Sequence, residues 1–218
     1  MNPKAIIFDF DGVIADSEVP YNRALAESLT AIGLPTSYEE SLTRYCGHNW
    51  QECVRRIETR LDGPLPEDFR EVYDMRAQAR FDAGFDPVNG VVDFLARTAH
   101  LPRAIASSSG APYIEWALER FGLGAHFTGQ IHSADGMERG KPHPDIYLIA
   151  AEALGVDPAE CLVFEDSPTG ATAAVAAGMH VIGLCAAAHI ADREAHAQSL
   201  RAVGVHRIVF EFDEVTFA

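Results

Sequence analysis

The sequence is short of positive charge. Its 218 residues hold 17 Lys and Arg against 32 Asp and Glu, a formal net charge of −15. That deficit argues against general nucleic-acid binding, which needs a basic footprint. It also gives an anionic ligand no long-range attraction, so any anion site must be local, made by a metal, a lysine and backbone amides. No apolar run approaches the roughly 18 residues of a membrane span, and no membrane partner is expected. The N-terminus is read as running straight into a strand, without room for a signal peptide. Cys46, Cys53, Cys161 and Cys185 show no CxxC spacing; they are expected to be reduced thiols in a cytoplasmic protein. The nine histidines show no metal-ligand spacing. Repeats and low-complexity tracts are lacking as well. What remains, 48% hydrophobic and 22% charged residues, is an ordinary globular composition, long enough for one large domain or a core with an insertion.

The stretch that organises the chain is Lys4 to Glu18, KAIIFDFDGVIADSE. Ala5 to Phe8 is an apolar run suited to a strand buried on both faces, and it ends in Asp9, Asp11 and Gly12. Residues two apart in a strand point to the same side, so the two carboxylates can converge at the C-terminal edge. That edge is where open α/β sheets bind ligands. Paired carboxylates repel unless a cation or a proton compensates, and Mg²⁺, a hard cation with oxygen ligands, would resolve the conflict. An isolated DxD is more often a solvated turn, so the decision rests on partners elsewhere.

After Glu18 the pattern is helical. A first helix carries Ala24, Leu25, Leu29 and Ile32 and stops at Gly33 and Pro35. Ser37 and Glu40 form a capping box for a second, ending before Gly47. Asn49 with Glu52 opens a third, and Pro66 begins a fourth that reaches Gly84. Residues 17–85 therefore read as an inserted helical module. From residue 86 helices alternate with strands: a helix over Val91–His100, strands at Arg103–Ala106, Gln130–His132, Cys161–Phe164 and His180–Leu184, with helices between. Together with residues 1–16, residues 86–218 predict an α/β core with a doubly wound parallel sheet. The tail from Ile190 reads as a helix and a short strand at Arg207–Phe210, with no chemical motif.

Three strand ends carry polar groups that a parallel sheet brings to one rim. Ser107 offers a hydroxyl, and Ser108, Ser109 and Gly110 can present backbone N–H groups to an anion. Lys141 lies in Gly-Lys-Pro-His-Pro-Asp, whose prolines stiffen the loop around the ammonium. Glu165 and Asp166 end a strand, with Ser167 as N-cap and Pro168 as first helical residue. Each signal alone is compatible with an ordinary turn or cap.

Taken in order, DxDGxxxDSE, a strand ending in serine, GKPxPD and a strand ending in EDSxxG resemble the haloacid dehalogenase-like hydrolase superfamily. The four-helix insertion resembles its helical-cap subclass, which includes sugar-phosphate phosphatases and β-phosphoglucomutase. The resemblance implies a Rossmann-like core with a mobile α-helical cap, and a Mg²⁺-dependent phosphatase acting on small phosphomonoesters. Asp9 would be the nucleophile, forming an aspartyl-phosphate; Asp11 would be general acid and then general base. Ser107, Ser108 and Lys141 would hold the phosphoryl group. Mg²⁺ would rest on Asp9, the Asp11 carbonyl and Asp166, with Glu165 bound through water or behind.

The substrate would be a small phosphorylated metabolite: a sugar phosphate, a phosphorylated sugar acid or phosphoglycolate. Gly47, His48, Asn49 and Trp50, with Tyr21, are the expected specificity residues, and Arg44, Arg76 and Arg80 are possible charged contacts. Cys46 and Trp50 stand where the mutase resemblance calls for Lys and Arg, and Tyr21 where it calls for His, so the mutase is the second reading. A phospho-signalling receiver would place its phospho-accepting aspartate on the third strand and would lack the cap. A calcium-binding helix–loop–helix would put glycine sixth in its loop. The expected state is a monomer or weak homodimer.

Overall fold

The computed structural model describes residues 2–46 and 50–217. The chain begins with β1 (Ala5–Phe8), followed by α1 (Glu18–Ala31), α2 (Tyr38–Tyr45), α3 (Trp50–Leu61) and α4 (Phe69–Ala83). Then come α5 (Val91–Arg97), β2 (Arg103–Ser107), α6 (Ala111–Phe121), β3 (Ile131–Ser133) and α7 (Asp145–Leu154). The chain closes through β4 (Cys161–Glu165), α8 (Pro168–Ala176), β5 (His180–Leu184), α9 (Arg193–Ala202) and β6 (Arg207–Val209). It divides into two compact units, one of Met1–Asp16, Pro87–Ala187 and Arg193–Ala218, the other of Ser17–Asp86 and Ala188–Asp192. Among the described residues no helix is long and apolar enough to cross a membrane.

The first unit is an α/β core around a parallel sheet of order β3-β2-β1-β4-β5-β6. β1 lies in the middle, so its four side chains are fully buried, which is what an unbroken apolar run favours. The strand order reverses between β1 and β4, the switch point at which doubly wound sheets open a crevice. Ile7 pairs with Ala104 on one side and Val163 on the other. That register brings the C-terminal ends of β2, β1 and β4 to one rim. Beneath it Phe164 packs against Phe8, Phe94 and Phe212, with ring centroids 5.0–5.5 Å apart.

Two helix limits differ from the sequence-based expectation. The helix predicted to reach His100 ends at Arg97. Buried Arg103 explains this, because its guanidinium donates to the carbonyls of Leu95 and Thr98 and closes the helix early. The helix predicted from Pro66 starts at Phe69 with Asp68 as N-cap, while the Phe69 N–H donates to the Pro66 carbonyl in a preceding turn. β6 adds to the sheet edge by pairing Val209 with Leu184.

The second unit is helical. α1 packs on α2 and α4 around Leu25, Leu29, Tyr45, Cys53, Ile57 and Phe69. The capping box read at Ser37 forms: its hydroxyl accepts from Glu40 N at 3.1 Å and Glu40 Oε2 accepts from Ser37 N at 3.3 Å. A buried bond from Ser41 Oγ to Asn22 Oδ1, 3.2 Å, ties α2 to α1.

Candidate active site

Asp9 follows β1 directly, and its N–H donates to the Phe164 carbonyl at 3.0 Å, continuing the β1–β4 ladder. Its side chain is therefore held beside Glu165 and Asp166 at the end of β4. One carboxylate oxygen from each of these three buried acids lies within 4.8 Å of the others. An all-oxygen set of this spacing suits a hard divalent cation. Lys141 enters from the loop between β3 and α7. Its Nζ donates to Asp9 Oδ1 at 2.6 Å and to Glu165 Oε1 at 2.7 Å, with the side chain only 5% exposed.

The electrostatics follow from burial. Loss of water drives the Asp9 carboxyl up to about 7; Lys141 pulls against that rise and Glu165 adds to it. Asp166 is held well above the ordinary carboxylate range by burial, then by Glu165 and Asp9. Burial alone would lower Lys141, but the Asp9 and Glu165 carboxylates outweigh it and hold the ammonium well above its usual value. Three acids thus converge with one ammonium among the described residues of the cluster. Their mutual repulsion is the kind that a bound divalent cation relieves.

Glu165 is fully engaged. Tyr147 Oη donates to Oε1 at 2.8 Å, beside Lys141, and Ser167 donates to Oε2 through its N–H (2.9 Å) and its hydroxyl (3.0 Å). Two glycines make room for these acids. A Cβ on Gly12, whose φ is +77°, would fall 1.9 Å from Asp166 Oδ2, and one on Gly170 would fall 1.5 Å from Glu165 Oε1. His196, in the tail read as lacking a chemical motif, has Nε2 2.5 Å from the Asp166 carbonyl.

Asp11 has partners of another kind. Ser109 Oγ donates to its Oδ2 at 2.5 Å and Tyr113 Oη to its Oδ1 at 3.0 Å. Ser107 is buried at the end of β2, where its hydroxyl accepts from Ser109 N at 3.0 Å. Ser108 is exposed beside it. The structure so brings Asp9, Lys141, Glu165 and Asp166 into direct contact or ligand spacing, with Asp11 and Ser107 on the same rim. Sequence reading missed Ser109 as a side-chain donor, together with Tyr113, Tyr147 and His196. The only available signals were spacings, with Tyr113 one helical turn past Ser109 and Tyr147 two residues into α7.

In the helical unit Trp50 stacks on Tyr73 (5.5 Å, 12°) and on Phe69 (6.4 Å, 17°), with the Arg70 guanidinium 4.3 Å from its ring centroid. It lines a cavity of about 320 Å³ with Glu18, Tyr21, Asn22, Arg70 and Tyr73. Arg44, Arg76 and Arg80 are instead engaged within their own unit, by Glu40, Ser28 and Glu27. Among the described residues that line the cavity, the cationic one is Arg70, which the sequence did not single out. Gly47, His48 and Asn49 lie outside the described residues.

Comparison with known proteins finds relatives that cover most of the chain. The Bacillus subtilis protein YhcW is 35% identical over 185 residues, 82% of each chain. Hexitol phosphatase A of Escherichia coli is 31% identical over 191 residues, 86% of each. The crystal structure of a HAD family hydrolase from Deinococcus radiodurans, with bound phosphate and sodium, superposes with a TM-score of 0.86 at 30% identity. It covers 98% of this chain and 93% of that one. The family model for haloacid dehalogenase-like hydrolases matches residues 3–178, from the strand bearing Asp9 past the Glu165–Asp166 pair. By that match and by the YhcW similarity, this chain belongs to the haloacid dehalogenase-like hydrolases.

Proposed function

We propose that this enzyme is a Mg²⁺-dependent phosphatase of small phosphorylated sugars, polyols or sugar acids, acting in the cytoplasm through an aspartyl-phosphate on Asp9. The observation that carries the reading is the Lys141 bridge between Asp9 and Glu165, set against buried Asp166. Lys141 holds Asp9 Oδ1 and so fixes the carboxylate that attacks phosphorus. As the Asp9 oxygen bonds to phosphorus, the ester P–O bond breaks and Asp11 passes a proton to the departing oxygen. In the second half Asp11 removes a proton from water, whose oxygen bonds to phosphorus while the bond to Asp9 breaks. Phosphate leaves and Asp9 is restored. Ser107 and Ser108, with Lys141, orient the phosphoryl oxygens.

Asp9, Asp166 and the Asp11 carbonyl are the groups that would hold Mg²⁺, with Glu165 behind them because both of its oxygens are already used. When bound, the ion supplies neutralising charge for phosphoryl transfer. The named activity of the hexitol phosphatase relative supports a polyol-type substrate, and the cavity beside Trp50 supplies an aromatic wall with Arg70 and Glu18 as polar groups. The cysteines, three of them buried, are thiols outside any disulfide, as a reducing compartment favours.

The test is phosphate release from a panel of phosphorylated hexoses, hexitols, sugar acids and phosphoglycolate, with and without Mg²⁺, in wild type and Asp9→Asn. Release requiring both the ion and Asp9 is expected. Isomerisation of a sugar phosphate primed by a bisphosphate, without net release, would replace the phosphatase by a mutase.

A further inference from the structure

Asp9 and Asp11 stand two residues apart but are held by chemically different partners. Asp9 meets an ammonium, which only donates hydrogen bonds and so favours the ionised form of its partner. Asp11 meets two hydroxyls, one on each oxygen: Ser109 Oγ at 2.5 Å and Tyr113 Oη at 3.0 Å. Both hydroxyls are themselves fixed. The Tyr113 ring meets Phe10 edge-on (5.6 Å, 85°) and stacks against Trp116 (6.4 Å, 30°). Ser109 is pinned through its backbone, with its N–H on Ser107 Oγ at 3.0 Å and its carbonyl on Ser133 Oγ at 2.7 Å.

We infer that Ser109 and Tyr113 are positioning residues that hold the Asp11 carboxyl in place through both proton-transfer steps, an inference that rests on the phosphatase reading above. A hydroxyl donates to a carboxylate and, by rotating its hydrogen, accepts from a carboxylic acid. Asp11 must take both forms in one turnover. It begins as the acid, gives its proton to the ester oxygen as the P–O bond breaks, and recovers one from water as the P–Asp9 bond opens. Hydroxyl partners accommodate the carboxyl in either form without moving it, whereas an ammonium would favour one form. A carboxyl displaced by even a fraction of a hydrogen-bond length loses proton-transfer efficiency.

The inference separates substrates by leaving group. An alkoxide needs the proton that Asp11 delivers; p-nitrophenolate departs without it. The experiment is a single-turnover rapid-quench measurement of leaving-group release, enzyme in excess, from a hexitol phosphate and from p-nitrophenyl phosphate. Wild type, Ser109→Ala, Tyr113→Phe and the double variant are compared with Asp11→Asn as reference. Release from the hexitol phosphate is expected to slow about tenfold in each single variant, within the range for acid–base catalysis. Release from p-nitrophenyl phosphate should change by less than about threefold, and the double variant should approach the Asp11→Asn profile. Mg²⁺ affinity by calorimetry should stay at the wild-type value, because both hydroxyls are bonded to the Asp11 side chain. Equal slowing on both substrates, no slowing on either, or a weakened Mg²⁺ affinity would overturn the assignment. Should Tyr113→Phe fail to fold by circular dichroism, Ser109→Ala decides alone. A wild type that releases neither leaving group would overturn the phosphatase reading itself.

Discussion

Lys141 Nζ lies 2.6 Å from Asp9 Oδ1, a contact across 132 residues of sequence that joins the loop after β3 to the end of β1. The same ammonium reaches Glu165 Oε1 at 2.7 Å. Removing it leaves two buried acids without their counter-charge. Lys141→Met is therefore expected to lower turnover by at least two orders of magnitude, the scale for loss of one preorganised charge-stabilising donor. It should also cost about 3 kcal/mol of stability, as one-sided removal of a buried pair does. Steady-state kinetics and denaturant unfolding measure the two effects separately. Retained turnover would show that the bridge is purely structural.

The raised Asp9 carboxyl predicts an unusual pH dependence for the Mg²⁺-free protein. Its value is about 7 in the fold and near the ordinary 3.8 in the unfolded chain. The folded state thus binds more protons between those values, and the stability from this group is present below about pH 4 and lost as pH rises through 7. Thermal unfolding in a chelator should show wild type losing stability relative to Asp9→Asn between pH 5 and pH 8. Saturating Mg²⁺ should remove that difference, because the ion holds the ionised form. A difference of opposite sign would refute the burial-driven shift.

Much of this site is legible in the sequence for physical reasons that apply to short stretches. The run Ala5–Phe8 had to be a doubly buried strand because it contains no polar position, and it is fully buried. Ser37 and Glu40 specify a cap through backbone donors only three residues away. Asp9 and Glu165 were read because each ends or follows a recognisable strand, and Lys141 because prolines stiffen its loop. The Tyr147 bond to Glu165 and the Tyr113 bond to Asp11 were not legible. Both depend on which helix face packs onto the sheet, and a buried tyrosine looks in sequence like any other core aromatic. Arg103 was hidden in the same way: nothing local announces that a strand's first residue will bury its guanidinium against two helix carbonyls.

Trp50 offers a test of the helical unit. Its indole stacks on Tyr73 and carries Arg70 over its face, so Trp50→Ala would lose packing as well as any ligand contact. Trp50→Phe keeps an aromatic ring. That variant is expected to lower kcat/KM for a hexitol phosphate about tenfold relative to p-nitrophenyl phosphate, roughly 1.4 kcal/mol of differential binding. A parallel fall for both substrates would remove Trp50 from the specificity residues.

Gly170 gives the sharpest contradiction between local propensity and the site. It lies inside α8, where replacing glycine by alanine ordinarily stabilises a helix by about 1 kcal/mol. Here the added Cβ would fall 1.5 Å from Glu165 Oε1 and 2.2 Å from its carboxyl carbon. Glu165 is fully buried and tied to Lys141, Tyr147 and Ser167, so it cannot swing clear without breaking those bonds. Gly170→Ala should therefore destabilise the protein by about 3 kcal/mol, as core overpacking does. Gly124→Ala is the control: its Cβ meets nothing within 4 Å, and its effect should stay within about 0.5 kcal/mol. Denaturant unfolding of the two variants reads out the comparison. If Gly170→Ala instead stabilises, Glu165 has room to move, and the rigid bridge through Lys141 to Asp9 would have to be abandoned.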